Sequence, residues 1–165
     1  MAETLEIVDK WGREVAERGF SQVPNYLILI NQFVSEEDRL PPIELIALIQ
    51  LVSAWWKKDE YPFPSLKTIA ARSGVSERQM QRAINSLESK ELIKRERKKT
   101  RGIISTNSYN LEPLVDTLNV IASVYDNPFK RTLAKERRQK QRSAGRKIKL
   151  GKGLAQADGS VSKES

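Results

Sequence analysis

The 165-residue chain contains no cysteine and no histidine. The first absence excludes disulfides, a thiolate nucleophile and cysteine-ligated zinc, and it fits a reducing compartment without establishing one. The second removes the histidine general base, the paired-histidine zinc motif and any His-pair metal site. No run approaches the roughly 18 consecutive apolar residues of a membrane helix. The N-terminus lacks the charged-then-apolar order of a signal peptide. Neither a Walker-type phosphate loop nor a glycine-rich dinucleotide turn occurs. Glu36, Glu37 and Asp38 fall in a polar loop with no sign of the geometry that holds magnesium. These absences predict a soluble, cytoplasmic protein with no cofactor, no metal, no membrane partner and no enzymatic activity.

What is present is positive charge, and it is unevenly placed. Lys and Arg number 29 against 21 Asp and Glu, a net of +8. Residues 64–101 hold eleven basic and four acidic side chains, and residues 128–165 hold twelve and three. Residues 1–60 instead hold six basic and eleven acidic, and residues 102–127 none and three. A chain basic in two segments and acidic elsewhere is arranged to meet a polyanion on one side. The composition divides it into an N-terminal helical extension at 1–34, a compact domain at 35–127 and a basic, disordered tail at 128–165. That tail is suited to scanning non-specific DNA, or to binding RNA or an acidic partner protein.

The stretch from Ser65 to Leu87 carries the strongest local signal. Ser65 can cap a helix on which Leu66, Ile69 and Ala70 share a face. Gly74 sits where that helix must stop and the chain turn through positive φ. Val75 can plug the space between the two helices. Ser76 with Gln79 matches a capping box, and Met80, Ala83, Ile84 and Leu87 form the buried stripe of a second helix. The spacing is that of a helix-turn-helix, whose second helix enters the DNA major groove. Opposite the stripe lie Arg78, Arg82, Asn85 and Ser89, flanked by Gln79, Gln81 and Ser86. Arg, Asn and Gln can pair bidentately with guanine or adenine edges. With Ser76, the candidate reading residues are therefore Arg78, Gln79, Gln81, Arg82, Asn85 and Ser89. On an ordinary helical domain the same face would simply be solvated.

A basic hairpin is expected next. Leu92 to Arg97 and Ile103 to Leu111 read as strands around a turn at Lys98 to Gly102. Lys94, Arg95, Arg97, Lys98, Lys99 and Arg101 crowd it, with Glu96 the one acid. Directly after a reading helix, such a run suits the phosphate backbone or a minor groove rather than a merely solvated loop.

Upstream, Leu5, Val8, Trp11 and Val15 share a face from Thr4 to Arg18, with Gly19 a plausible stop. Tyr26 to Val34 is apolar and short, with helix preferred over strand. Pro41-Pro42 opens a helix to about Lys58, apolar nearly all round. Trp55 and Trp56 continue it, so core packing is preferred to stacking on exposed bases. Downstream, Asn110 to Pro113 starts a helix with Leu114, Leu118, Ile121 and Tyr125 in a stripe. That stripe either closes the core against the N-terminal helix or forms a dimer seam. Tyr109 is expected in the wing or core rather than as a nucleophile.

Gly74-Val75-Ser76, Met80, Arg82-Ala83-Ile84 and Leu87-Glu88 resemble the helix-turn-helix core of bacterial transcriptional regulators. Phe20 to Asn25, Phe63-Pro64-Ser65 and Thr106 to Leu111 resemble the winged-helix domains of bacterial plasmid and phage replication proteins. The glycine usual before the wing's Leu-Ile is Glu91 here, which leaves the end of the reading helix undefined. The resemblance implies a mainly α fold with a small β-hairpin wing, a winged helix-turn-helix. It implies sequence-specific binding of double-stranded DNA in replication initiation or transcription regulation. Further expectations are a nucleoid- or plasmid-associated location, a homodimer through terminal helices, and contact with the replication or transcription machinery. The alternative is a winged helix used for protein contact, its basic tail binding RNA or an acidic partner.

Overall fold

Short amphipathic segments separated by turns shape the chain, and a computed structural model describes residues 2–100, 103–129 and 150–151. The elements are helices α1 (Ala2–Trp11), α2 (Arg13–Glu17), α3 (Asn25–Ile28), α4 (Pro42–Ser53), α5 (Leu66–Ser73) and α6 (Glu77–Ser89). Strands β1 (Lys94–Thr100) and β2 (Ile103–Asn110) and helix α7 (Glu112–Val124) follow.

Three helices make the centre. On α4, Pro42 occupies the first turn, where its missing N–H costs nothing, and Glu44, Ala47, Leu48 and Leu51 are buried at helical spacing. Ile69 and Ala70 of α5 and Met80, Ala83, Ile84 and Leu87 of α6 meet them. Each fully buried Leu or Ile contributes about 1.5–3 kcal/mol of hydrophobic stabilisation. The helix between Pro41 and Lys58 is shorter than expected: it stops at Ser53, and Ala54 caps it. Trp55 is consequently only half-buried, and Trp56 is 84% exposed rather than in the core.

The hairpin pairs Lys94 with Asn110 and Thr100 with Ile103 in antiparallel register, with an irregularity between Arg97 and Lys99. β1 therefore runs through Lys98, Lys99 and Thr100, residues expected in the turn. Leu92 and Ile93 bury the base of the wing. On the outer side of β2, Tyr109 N–H donates to the Pro62 carbonyl at 2.9 Å, which fixes the α4–α5 loop to the hairpin.

α7 closes the other side. Asn110 Oδ1 accepts the Glu112 N–H at 2.8 Å, as befits a helix start. Leu114 and Ile121 are buried, with Leu118 and Tyr125 packed against the core. Their partners are α3 and the turn after it: Phe33 stacks at a tilt between Tyr26 and Tyr125, and the Tyr26 hydroxyl donates to the Tyr125 carbonyl. Leu27, Ile30, Phe33 and Val34 are core residues, so part of the segment drawn as an N-terminal extension belongs to the central body. Residues 25–32 are helical, as preferred, but broken into α3 and a 3-10 turn.

The N-terminal helix does not close that core. Gly12, at φ 81°, divides it into α1 and α2, and Ile7, Trp11, Val15 and Phe20 stay exposed, with Trp11 against Phe20. Most of the expected tail lies outside the described residues. Leu150 does not: it packs on the core, and its N–H donates to Asp38 Oδ2 at 3.1 Å.

Candidate nucleic-acid interface

The capping chemistry read from the sequence fixes the two helices of the motif. Ser65 Oγ accepts the Thr68 N–H at 3.0 Å, and Gly74 takes φ 68° to end α5. Val75 N–H then donates to the Ala70 carbonyl at 3.1 Å and Gly74 N–H to that of Ala71 at 3.3 Å. This is the two-bond helix stop that a left-handed residue permits. Two residues after Gly74, Ser76 opens α6: its Oγ accepts the Gln79 N–H at 3.2 Å, while Gln79 Oε1 accepts the Ser76 N–H at 3.0 Å. The turn is therefore specified from both ends.

α6 turns Met80, Ala83, Ile84 and Leu87 inward and the reading candidates outward. Arg78, Arg82 and Asn85 are exposed on that outer face. Arg78 and Arg82 take part in no ion pair among the described residues. Gln81 Nε2 donates to Asn85 Oδ1 at 2.8 Å, aligning two amide side chains one turn apart. Ser76 and the Gln79 oxygen are engaged in the cap, and Ser89 Oγ donates to the Asn85 carbonyl at 3.0 Å. The helix thus brings Arg78, Arg82, Asn85 and Gln81 together as side chains able to meet base edges.

The wing residues are less alike than their sequence suggests. Lys94 and Arg97 are exposed. Arg95 instead turns back onto α6: its Nε donates to Glu88 Oε2 at 2.9 Å, and its backbone N–H donates to Glu88 Oε1 at 3.0 Å. The Arg95 side-chain hydrogen bond is the main cause that holds the Glu88 carboxyl below its ordinary range, against the opposing effect of burial. Lys98 and Lys99 lie on β1, but their side chains, like Arg101, lie outside the described residues. Tyr109, opposite Arg95 in the register, is 2% exposed, and burial pushes its phenol above the usual range.

A further tie, outside the helix-turn-helix spacing, sets the attitude of α6. Lys90, at its C-terminal end, reaches Glu44 on α4 at 2.6 Å, with Glu44 5% exposed. Glu44 is the lone acid in a mostly apolar helix whose other polar side chains are Gln50 and Ser53, which is the available clue. Glu88 ties the same end to the wing. Helix, wing and α4 therefore hold a fixed mutual orientation, which is what a surface matching groove and backbone together needs.

Residues 38–93 match the family model described as a helix-turn-helix domain. The match covers α4, α5 and α6 and ends as the wing begins, so these residues form a helix-turn-helix, and the following hairpin makes the fold a winged helix-turn-helix. No curated protein and no solved structure gives a significant match to the chain. No described helix is long and apolar enough to cross a membrane.

Proposed function

We propose, from the helix-turn-helix domain at residues 38–93, that this chain binds double-stranded DNA sequence-specifically and without catalysis. α6 lies in a major groove, with Arg78, Arg82 and Asn85 at base edges. Lys94 and Arg97, together with Lys98, Lys99 and Arg101, run along the flanking phosphates. Arg95 serves this surface from behind, through Glu88, by fixing the wing to α6. The observation that carries the reading is the division of α6: one side is wholly buried, and the other presents two arginines with no ion-pair partner among the described residues and an aligned amide pair.

The resemblance to plasmid and phage replication proteins and to bacterial regulators supplies the setting, replication initiation or transcription regulation, on nucleoid or plasmid DNA. Iterated sites beside the gene favour initiation, and a single palindrome over its own promoter favours regulation. The exposed apolar residues of α1 and α2 support a homodimer through terminal helices, which would place two reading helices on a two-fold related site.

Selection of bound sequences from random duplex DNA tests this directly. A defined consensus is expected, with affinity falling steeply as salt rises because several phosphates are neutralised. Recovery of no consensus, or binding unchanged in Arg78→Ala/Arg82→Ala, would sink the assignment of α6 as the reading helix.

A further inference from the structure

A braced loop presents two aromatic rings to solvent beside the motif. Trp56 falls beyond the end of α4 and is 84% exposed, and Phe63, at the far end of the loop, is 69% exposed. The loop between them is not slack. Lys57 and Glu60 close a tight turn, with Nζ and Oε1 2.9 Å apart. The Pro62 carbonyl holds the Tyr109 N–H, and Ser65 caps α5. Trp56, Phe63 and Pro64 wall an open groove of about 430 Å³ whose polar lining is Ser53, Thr68 and Arg72.

Large rings fixed in an exposed position belong to a binding surface, and the chemistry of this one is specific. Ser53 Oγ donates to the Ile49 carbonyl and Thr68 Oγ1 pairs with Ser65 Oγ, so the free polar group is the Arg72 guanidinium; apolar faces beside it suit a flat heterocycle carrying a phosphate. Arg72 has no ion-pair partner among the described residues, and Lys58 and Lys67 are exposed on the segments that flank the groove. The groove is also continuous with the DNA-binding motif. Thr68 and Arg72 belong to α5, the helix that crosses the DNA backbone when its partner occupies the major groove. Inside a duplex, bases are stacked on one another and offer no face to a protein ring. The nucleotide that fits is therefore unpaired.

We propose that the groove between Trp56 and Phe63 is a stacking platform for unpaired nucleotides flanking the duplex that α6 reads. The proposal rests on the DNA-binding reading and extends it: the chain binds most tightly where the duplex opens at one edge of its site.

The test uses the full-length chain and three fluorescent probes: the selected blunt duplex, that duplex with an oligothymidylate extension on either flank, and a free oligothymidylate. Stacking is worth about 1–3 kcal/mol per base, so an extension on one flank is expected to tighten binding about 5- to 150-fold. Trp56→Ala removes that gain and leaves affinity for the blunt duplex unchanged, whereas Trp56→Phe keeps part of it. Because Trp56 is exposed, its replacement should leave the melting temperature where it was. An extension that adds nothing on either flank overturns the platform and leaves the groove to an apolar peptide; so does a gain that survives Trp56→Ala/Phe63→Ala. Loss of binding to the blunt duplex, with Trp56-dependent binding to the oligothymidylate retained, would overturn the duplex reading and uphold the platform. No binding to any probe overturns both.

Discussion

Replacing Glu91 by glycine should stabilise the protein, and by an amount that follows from one backbone angle. α6 ends in a complete two-bond stop, with Leu92 N–H donating to the Leu87 carbonyl and Glu91 N–H to that of Glu88, both at 3.0 Å. The stop requires a left-handed residue, and Glu91 supplies it at φ 54°, the one positive φ at a non-glycine position among the described residues. A side chain in that conformation costs about 1–2 kcal/mol. Glycine removes the cost but gives back about 0.4–1 kcal/mol through the greater freedom of its unfolded chain. The net gain lies between zero and about 1.6 kcal/mol, and its midpoint of about 0.8 kcal/mol is a rise of about 3–6 °C in melting temperature for a domain of about 100 residues. Loss of the negative charge also helps, because an acid at a helix C-terminus opposes the dipole. Glu91→Gln removes the charge and keeps the Cβ, so the Gly-minus-Gln difference isolates the backbone. Urea unfolding at constant m reads that difference. Glu91→Val should fall at least about 1 kcal/mol below Glu91→Gln, since a β-branched residue is poorest in this region. If Gly, Gln and Val are equally stable, α6 does not end in a left-handed residue and the argument fails.

Other outcomes follow from the same geometry. Arg82→Ala should cost about 1–3 kcal/mol on the preferred site and relax one base position, read by repeating the selection. Arg97→Ala should weaken all sequences alike and reduce the salt slope by about one unit, since the proposed placement sets it on phosphate and not on bases. Lys90→Met leaves the buried Glu44 carboxylate unpaired and should destabilise by about 3 kcal/mol or more, whereas Glu44→Leu/Lys90→Met should recover most of the loss. Glu88 has a depressed folded-state pKa, so the stability it contributes is present above the ordinary carboxylate range and lost as pH falls through the folded value. Glu88→Gln should therefore flatten the acid limb of the stability profile between the ordinary carboxylate range and that lower value, and a limb unchanged by the substitution would exclude the Arg95 pairing as its source.

The helix-turn-helix was legible because its determinants are local. A cap, a left-handed glycine and an i, i+3, i+4, i+7 stripe each act within a few residues, and Ser65, Gly74, Ser76 and Met80 through Leu87 meet all three requirements. The opposite holds where exposure depends on which surface a segment finally meets. Trp56 has the hydropathy of a core residue and follows an apolar helix, yet the helix stops at Ser53 and the tight turn at Lys57–Glu60 carries the ring outward. The turn itself is local, but what holds it in place is not, since the Tyr109–Pro62 bond that fixes the loop comes from the far strand of the wing. Arg95 shows the same limit among charges. In sequence it is one of six cations in a basic hairpin, but strand alternation points it at Glu88, and only the packing of wing against helix makes that pair. A cation count therefore overstates the surface offered to phosphate by at least this residue. The salt slope measures the true number, because a guanidinium held by a carboxylate releases no counterion on binding.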